Sequence, residues 1–170
     1  MFSIESLPDD VVDAAVRADW QRLIDADLPS AGRHPSETNR PHVTLAVRED
    51  LPEDAVRALA RAGGALPVEC RLGGAVVFAA GERFVLARPV VMSAALLRLH
   101  ADIVDLVGPP PVRYAVTAKD RWTPHVTLAR RMTAEQVGRA LGAVGAATVE
   151  GELTGLRLWD AEAKAVTPLR

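Results

Sequence analysis

Cysteine is almost absent. Cys70 stands alone among 170 residues, which excludes an internal disulfide framework and any metal site built from several thiolates. Long apolar runs are missing too. No stretch approaches the roughly 20 residues that cross a bilayer, although 49% of the chain is apolar and the mean hydropathy is +0.09. The opening residues, Met1-Phe2-Ser3-Ile4-Glu5, lack a basic segment followed by an apolar one, so a cytoplasmic protein without membrane contact is expected. Nor is there an excess of positive charge. The 20 basic residues are slightly outnumbered by 22 acidic ones, for a net −2, whereas a protein that tracks a nucleic-acid backbone leaves a basic footprint. Any nucleic-acid ligand is therefore expected to be gripped at one phosphate or at one end. Only Lys119 and Lys164 are lysines, a bias from which no mechanism follows.

Histidine is scarce as well, at four residues, and two of the four sit in a repeated pentapeptide. Pro41-His42-Val43-Thr44-Leu45 returns as Pro124-His125-Val126-Thr127-Leu128, at an offset of 83 (125 − 42). Each copy stands where a proline-containing loop runs into an apolar, β-branched segment, so each reads as the start of a strand. Alternate side chains of a strand share a face. His42 and Thr44 thus point one way and Val43 and Leu45 the other, and the second copy follows the same rule. Each motif offers an imidazole and a hydroxyl about 6–7 Å apart on one surface.

The remaining pattern repeats with the same offset. A strand over 2–6 leads to a helix opened by Asp9 and Asp10, with Val12, Val16, Trp20, Leu23 and Ile24 at helical spacing before Leu28-Pro29. A polar loop, 30–40, reaches the first histidine strand at 42–48. A helix over 51–62 stops at Gly63-Gly64, and strands at 68–72 and 75–79 follow through Gly73-Gly74 as a hairpin. The second round has a strand from Arg83 to Ala87 or slightly beyond and a helix capped by Ser93 and closed by Gly108. Next come a loop with Lys119, Arg121 and Trp122, then the second histidine strand at 125–130. Thr133 to Gln136 fits a capping box for a helix to about residue 144, and 149–158 with 165–169 form a closing hairpin. The period exceeds that of a solenoid, whose units run roughly 20–50 residues. A single α+β domain over 1–170 is expected, a bilobal pseudo-two-fold duplication with halves of about 1–82 and 83–170. Mainly antiparallel sheets would carry helices on their outer faces and share a central cleft.

Two imidazoles across one cleft can move two protons at neutral pH, one as base and one as acid. Two threonine hydroxyls can hydrogen-bond the charged oxygens of a phosphate between them. No metal or other cofactor is needed, and a His-based metal site lacks a third ligand. A lone strand histidine is usually structural; two at repeat-equivalent positions, each with its threonine, are better read as one functional site.

These two His-x-Thr motifs, their spacing and the duplicated layout resemble the 2H phosphoesterase superfamily, and within it the 2′-5′ RNA ligase-like, or RNA 2′,3′-cyclic phosphodiesterase, group. The likeness implies metal-independent opening of a 2′,3′-cyclic phosphate, on an RNA end or a nucleotide, to a 2′-phosphate. His42 and His125 would be the acid/base pair, with His125 activating water and His42 protonating the leaving oxygen, and Thr44 and Thr127 would hold the phosphate. The second motif continues Ala129-Arg130, like the family's phosphate-contacting arginine, although a regular strand would turn Arg130 toward the face of Leu128. The first continues Ala46-Val47-Arg48 and lacks the aromatic-Leu-Gly ending common in bacterial members. A module that keeps the pocket and binds a nucleotide or RNA phosphate without turnover is the alternative. Arg40, His34 and Trp122 are further candidates for substrate contact, with Tyr114 as a second stacking aromatic. Bland roles compete for each: loop solvation for His34, packing for the two aromatics. His100 is read as helix packing and Cys70 as a small core residue. A monomer is expected.

Overall fold

Asp9 shows how local chemistry sets the element boundaries. Its carboxylate accepts from the Val12 amide at 2.9 Å, ending the first strand and starting the first helix. The third helix is capped in the same way by the Ser93 hydroxyl, and the fourth by the reciprocal Thr133–Gln136 box expected from the sequence. Gly108, at φ +79, closes the third helix in a conformation that disfavours a side chain. A computed structural model describes residues 1–170. The strands are β1 (Phe2–Pro8), β2 (Val43–Arg48), β3 (Val68–Leu72), β4 (Val76–Ala80), β5 (Arg83–Pro89), β6 (His125–Met132), β7 (Val149–Asp160) and β8 (Ala165–Pro168). The helices are α1 (Asp10–Asp25), α2 (Glu53–Ala62), α3 (Ala94–Val107) and α4 (Ala134–Ala143). None is long and apolar enough to cross a membrane.

All eight strands join one curled antiparallel sheet in the order β3-β7-β1-β2-β6-β5-β4, with β8 added beside β7. The fold is α+β, as the pattern predicts. The two histidine strands are neighbours, paired at Val43 and Val126. Since 126 − 43 is the repeat offset of 83, each valine meets its own counterpart, and the pseudo-two-fold axis passes between them. A second crossing lies between β3 and β7, where Val68 pairs Leu153 and Cys70 pairs Gly151. Adding 83 to 70 and 68 returns those same two partners.

One expectation differs. β3 and β4 do not pair with each other: β3 joins β7, and β4 joins β5. Gly73 donates to the Pro89 carbonyl at 2.9 Å, and a Cβ there would press on the Pro89 ring at 3.3 Å. The Gly73-Gly74 step therefore carries the chain across the sheet instead of folding it back. As a result the final strands are exchanged, with β4 against β5 of the second half and β7 against β1 of the first.

α1 packs against β6 and β7, and α3 against β2 and β3. Val12, Val16 and Leu23 of α1 and Leu96 and Ile103 of α3 are fully buried. Val43, Leu45 and Leu128 are equally enclosed and Val126 nearly so, which anchors both histidine strands from below. Truncating one such leucine to alanine costs about 2–5 kcal/mol. A buried ion pair, Arg88 to Asp19 at 2.7 Å, ties β5 of one half to α1 of the other.

Candidate functional site: two histidines over a strand pair

The alternation that buries Val43, Leu45, Val126 and Leu128 lifts His42, Thr44, His125 and Thr127 to the opposite face, where all four are half-buried. The Val43–Val126 register sets Thr44 opposite His125 and His42 opposite Thr127. The four side chains thus frame the axis. Both threonine backbones are held by tryptophans: Trp122 donates to the Thr44 carbonyl at 2.9 Å and Trp20 to the Thr127 carbonyl at 3.0 Å.

Each imidazole is oriented by the same device. His42 Nδ1 meets the Arg40 carbonyl at 2.8 Å, and His125 Nδ1 meets the Thr123 carbonyl at 2.8 Å. A carbonyl only accepts, so Nδ1 carries the proton and Nε2 is left for chemistry on both sides.

Arg130 reaches the same face because β6 is not regular. Between Leu86–Ala129 and Ala87–Thr127 the register skips Leu128, so Leu128 and Ala129 both turn into the core at 0% exposure. Arg130 then faces the cleft, with Nη2 3.4 Å from Thr127 Oγ1. A second shift follows between Phe84 and Leu86, where Arg131 takes φ +58. β2 carries a matching bulge that skips Leu45. The counterpart of Arg130 at the offset of 83 is Val47, which lines the same cavity.

Around this repeated frame the two sides differ. On the first, Glu5 pairs laterally with Thr44 and with Arg157. Its Oε1 lies 3.6 Å from His42 Nε2, and its Oε2 accepts from Arg157 Nε at 2.8 Å. On the second, Ala87 pairs with Thr127 and Val76 with Ala87, so two apolar residues take those places. Phe78 lies against the His125 ring at 4.8 Å, tilted by 47°. Burial holds the His125 imidazole below its ordinary value, reinforced by the charges of Arg130 and His42 and opposed by the bond to the Thr123 carbonyl.

His42, Thr44, His125, Arg130 and His34 line one cavity of about 610 Å³, and an adjoining one of about 570 Å³ shares His42, Arg130 and His34 and adds Thr127. His34 is an exposed loop residue whose Nδ1 accepts from the Ser36 amide at 3.3 Å. Tyr114 also lines the larger cavity. Two expectations are corrected. Arg40 turns its guanidinium to Asp13 at 3.4 Å and serves the site through its carbonyl. Trp122 is buried, stacked on His100 at 3.9 Å, and offers no face to a ligand. His100 itself is buried with Nε2 3.0 Å from the Thr117 carbonyl, as packing predicts, and burial holds its imidazole below the ordinary value. Cys70 is enclosed and its thiol is pushed up to about 12, chiefly by burial.

Sequence reading missed Glu5 and Arg157, which lie 152 positions apart and meet only through the β1–β7 register. The one available signal is a charged residue beside apolar ones, Glu5 after Ile4 and Arg157 between Leu156 and Leu158, which reads equally well as a solvated face. No group of three or more His, Cys, Asp or Glu side chains gathers at metal-ligand distance.

The family described as the 2′-5′ RNA ligase superfamily matches residues 8–165. Among solved structures, TT0787 of Thermus thermophilus is similar over 99% of this chain and 94% of its own, at 19% identity and a TM-score of 0.56. Usb1 of Kluyveromyces marxianus is similar over 99% and 96%, at 15% identity and a TM-score of 0.53. At these identities the likeness is one of fold. Among curated proteins, none matches the chain.

Proposed function

Because the chain belongs to the 2′-5′ RNA ligase superfamily of 2H phosphoesterases, we propose that it is a metal-independent cyclic phosphodiesterase, opening the 2′,3′-cyclic phosphate of an RNA end or a nucleotide to a 2′-phosphate. One observation carries this reading: both imidazoles line a single cavity with Nε2 unused, beside Thr44 and Arg130. His125 is the base. Burial and Arg130 favour its neutral ring, and the Nδ1 bond leaves a lone pair on Nε2. It takes a proton from water, whose oxygen attacks phosphorus. The bond from phosphorus to the 3′-oxygen breaks, and that oxygen takes a proton from His42. A protonated His42 would keep Nδ1 on the Arg40 carbonyl and turn its second N–H toward Glu5 or the leaving oxygen. Thr44, Thr127 and Arg130 donate to the non-bridging oxygens as charge develops.

In this reading residues 1–170 are one domain whose halves, about 1–82 and 83–170, share the cleft, and the protein acts as a cytoplasmic monomer. The binding-only alternative draws on Val47, which leaves the first motif without the cation that Arg130 gives the second. One assay separates the two: hydrolysis of 2′,3′-cyclic nucleotides in EDTA by the wild type and by the variants His42→Ala and His125→Ala. Each variant is expected to lose about 10²–10⁴-fold in kcat. Unimpaired turnover by either removes the acid/base assignment, and nucleotide binding without product establishes the binding module.

A further inference from the structure

Arg157 is the one buried cation in the cleft that the mechanism leaves unused. Its side chain is 8% exposed, with Nε on Glu5 Oε2 at 2.8 Å and Nη1 on the Thr38 carbonyl at 2.8 Å. The third corner, Nη2, has no partner in the protein and is not sealed from solvent, and the residue lines the larger cavity. A guanidinium clamped on two edges with its last donor open is preorganised for an acceptor.

The register places that donor. Arg157, Glu5 and Thr44 lie abreast on β7, β1 and β2. Strands are spaced about 4.8 Å apart, so the Arg157 backbone is about 10 Å from that of Thr44. A phosphate held at the two motifs therefore leaves Arg157 to whatever is attached on the β1–β7 side. Charge narrows the choice. Glu5 already compensates the guanidinium through Oε2, and its second oxygen, Oε1, lies 3.6 Å from His42 Nε2. Such a pair presents a neutral edge with a donor and an acceptor, poorly suited to another phosphate and well suited to an uncharged oxygen. Arg130, by contrast, has no carboxylate partner. Trp159, two residues along β7, adds an aromatic face to the same cavity. Across the axis Ala87 and Val76 offer nothing of the kind.

We infer that the Glu5–Arg157 pair is a nucleoside-reading subsite, with Arg157 Nη2 donating to an uncharged oxygen of the sugar or the base on the His42 side of the phosphate. The inference rests on the cyclic-phosphodiesterase reading and fits it, since the nucleoside that owns the leaving oxygen then lies next to the proton donor.

Calorimetric titration tests it with three probes: uridine 2′-phosphate, 1-O-methylribose 2-phosphate and inorganic phosphate. The variants are Arg157→Gln and the paired Glu5→Gln/Arg157→Gln, the second leaving no buried charge uncompensated. Both are expected to weaken uridine 2′-phosphate by about tenfold and inorganic phosphate by a much smaller factor. An equal loss for the methylribose phosphate assigns the acceptor to the sugar; a loss for the uridine compound alone assigns it to the base. Unchanged uridine 2′-phosphate affinity, or inorganic phosphate weakened by the same factor, overturns the subsite. Wild-type hydrolysis of uridine 2′,3′-cyclic phosphate with no Arg157 effect sinks the subsite alone. Arg157-dependent binding without hydrolysis sinks the catalytic reading and leaves the subsite standing.

Discussion

The surroundings of His42 and His125 share a frame and differ in everything hung on it. Each ring is held through Nδ1 by the carbonyl two residues upstream, each threonine carbonyl takes a tryptophan N–H, and each strand bulges just past its threonine. Those shared features concern backbone and orientation. The differences concern charge and water: Glu5 and Arg157 beside His42 against Ala87, Val76 and Phe78 on the other side, and Val47 where the second motif has Arg130. Geometry repeats while electrostatics diverge. A reaction that needs one proton donor and one acceptor uses that division.

The comparison can be broken at several points besides the histidines themselves. The largest effect is expected from Arg130→Ala, which removes the guanidinium proposed to hold the phosphate and should cost about 10²–10³-fold in kcat, read by steady-state kinetics. Arg130→Lys should recover part of it, since the charge survives and the fork does not. Next comes Phe78→Ala, which admits water to the His125 ring. Burial holds this imidazole below its ordinary value, and the proposed base works unprotonated, so the acidic limb of kcat/KM is expected below about pH 6.5 in the wild type. The variant's limb should move up toward that figure, so activity near pH 6 falls more than activity near pH 8. A limb that stays in place removes Phe78 from the account. The smallest effect concerns stability and acts at His100. Its native imidazole is also held below the ordinary value by burial, so on acidification the unfolded chain binds the proton first. Thermal stability should therefore fall as pH drops below about 6.5. His100→Gln should flatten that slope while lowering stability at pH 8, as differential scanning calorimetry would record.

Much of this was legible in the chain because its signals are local. Period-two alternation placed Val43 and Leu45 inside and His42 and Thr44 outside. The capping residues Asp9, Ser93 and Thr133 marked three helix starts, and the offset of 83 carried the two motifs to one axis. What escaped depends on register. Parity arguments assume a regular strand, and the bulge at Leu128–Ala129 reverses them for Arg130. Trp122 looked available beside a motif, yet its partners, His100 and the Thr44 carbonyl, come from elsewhere in the chain. The Glu5–Arg157 pair forms only when β7 crosses to the first half, which no local pattern announces.

The crossing at Val43 and Val126 sets these two strands against each other much as two identical subunits would be. A symmetric pair of half-length chains would place the same carboxylate beside both rings, and in the proposed reaction each imidazole would be as ready to give a proton as to take one. Covalent continuity through the tight turn at Gly81, φ +64, lets a substitution on one side occur without its twin on the other. Handedness of proton flow is thus a property that a single polypeptide can hold and a homodimer of its halves cannot.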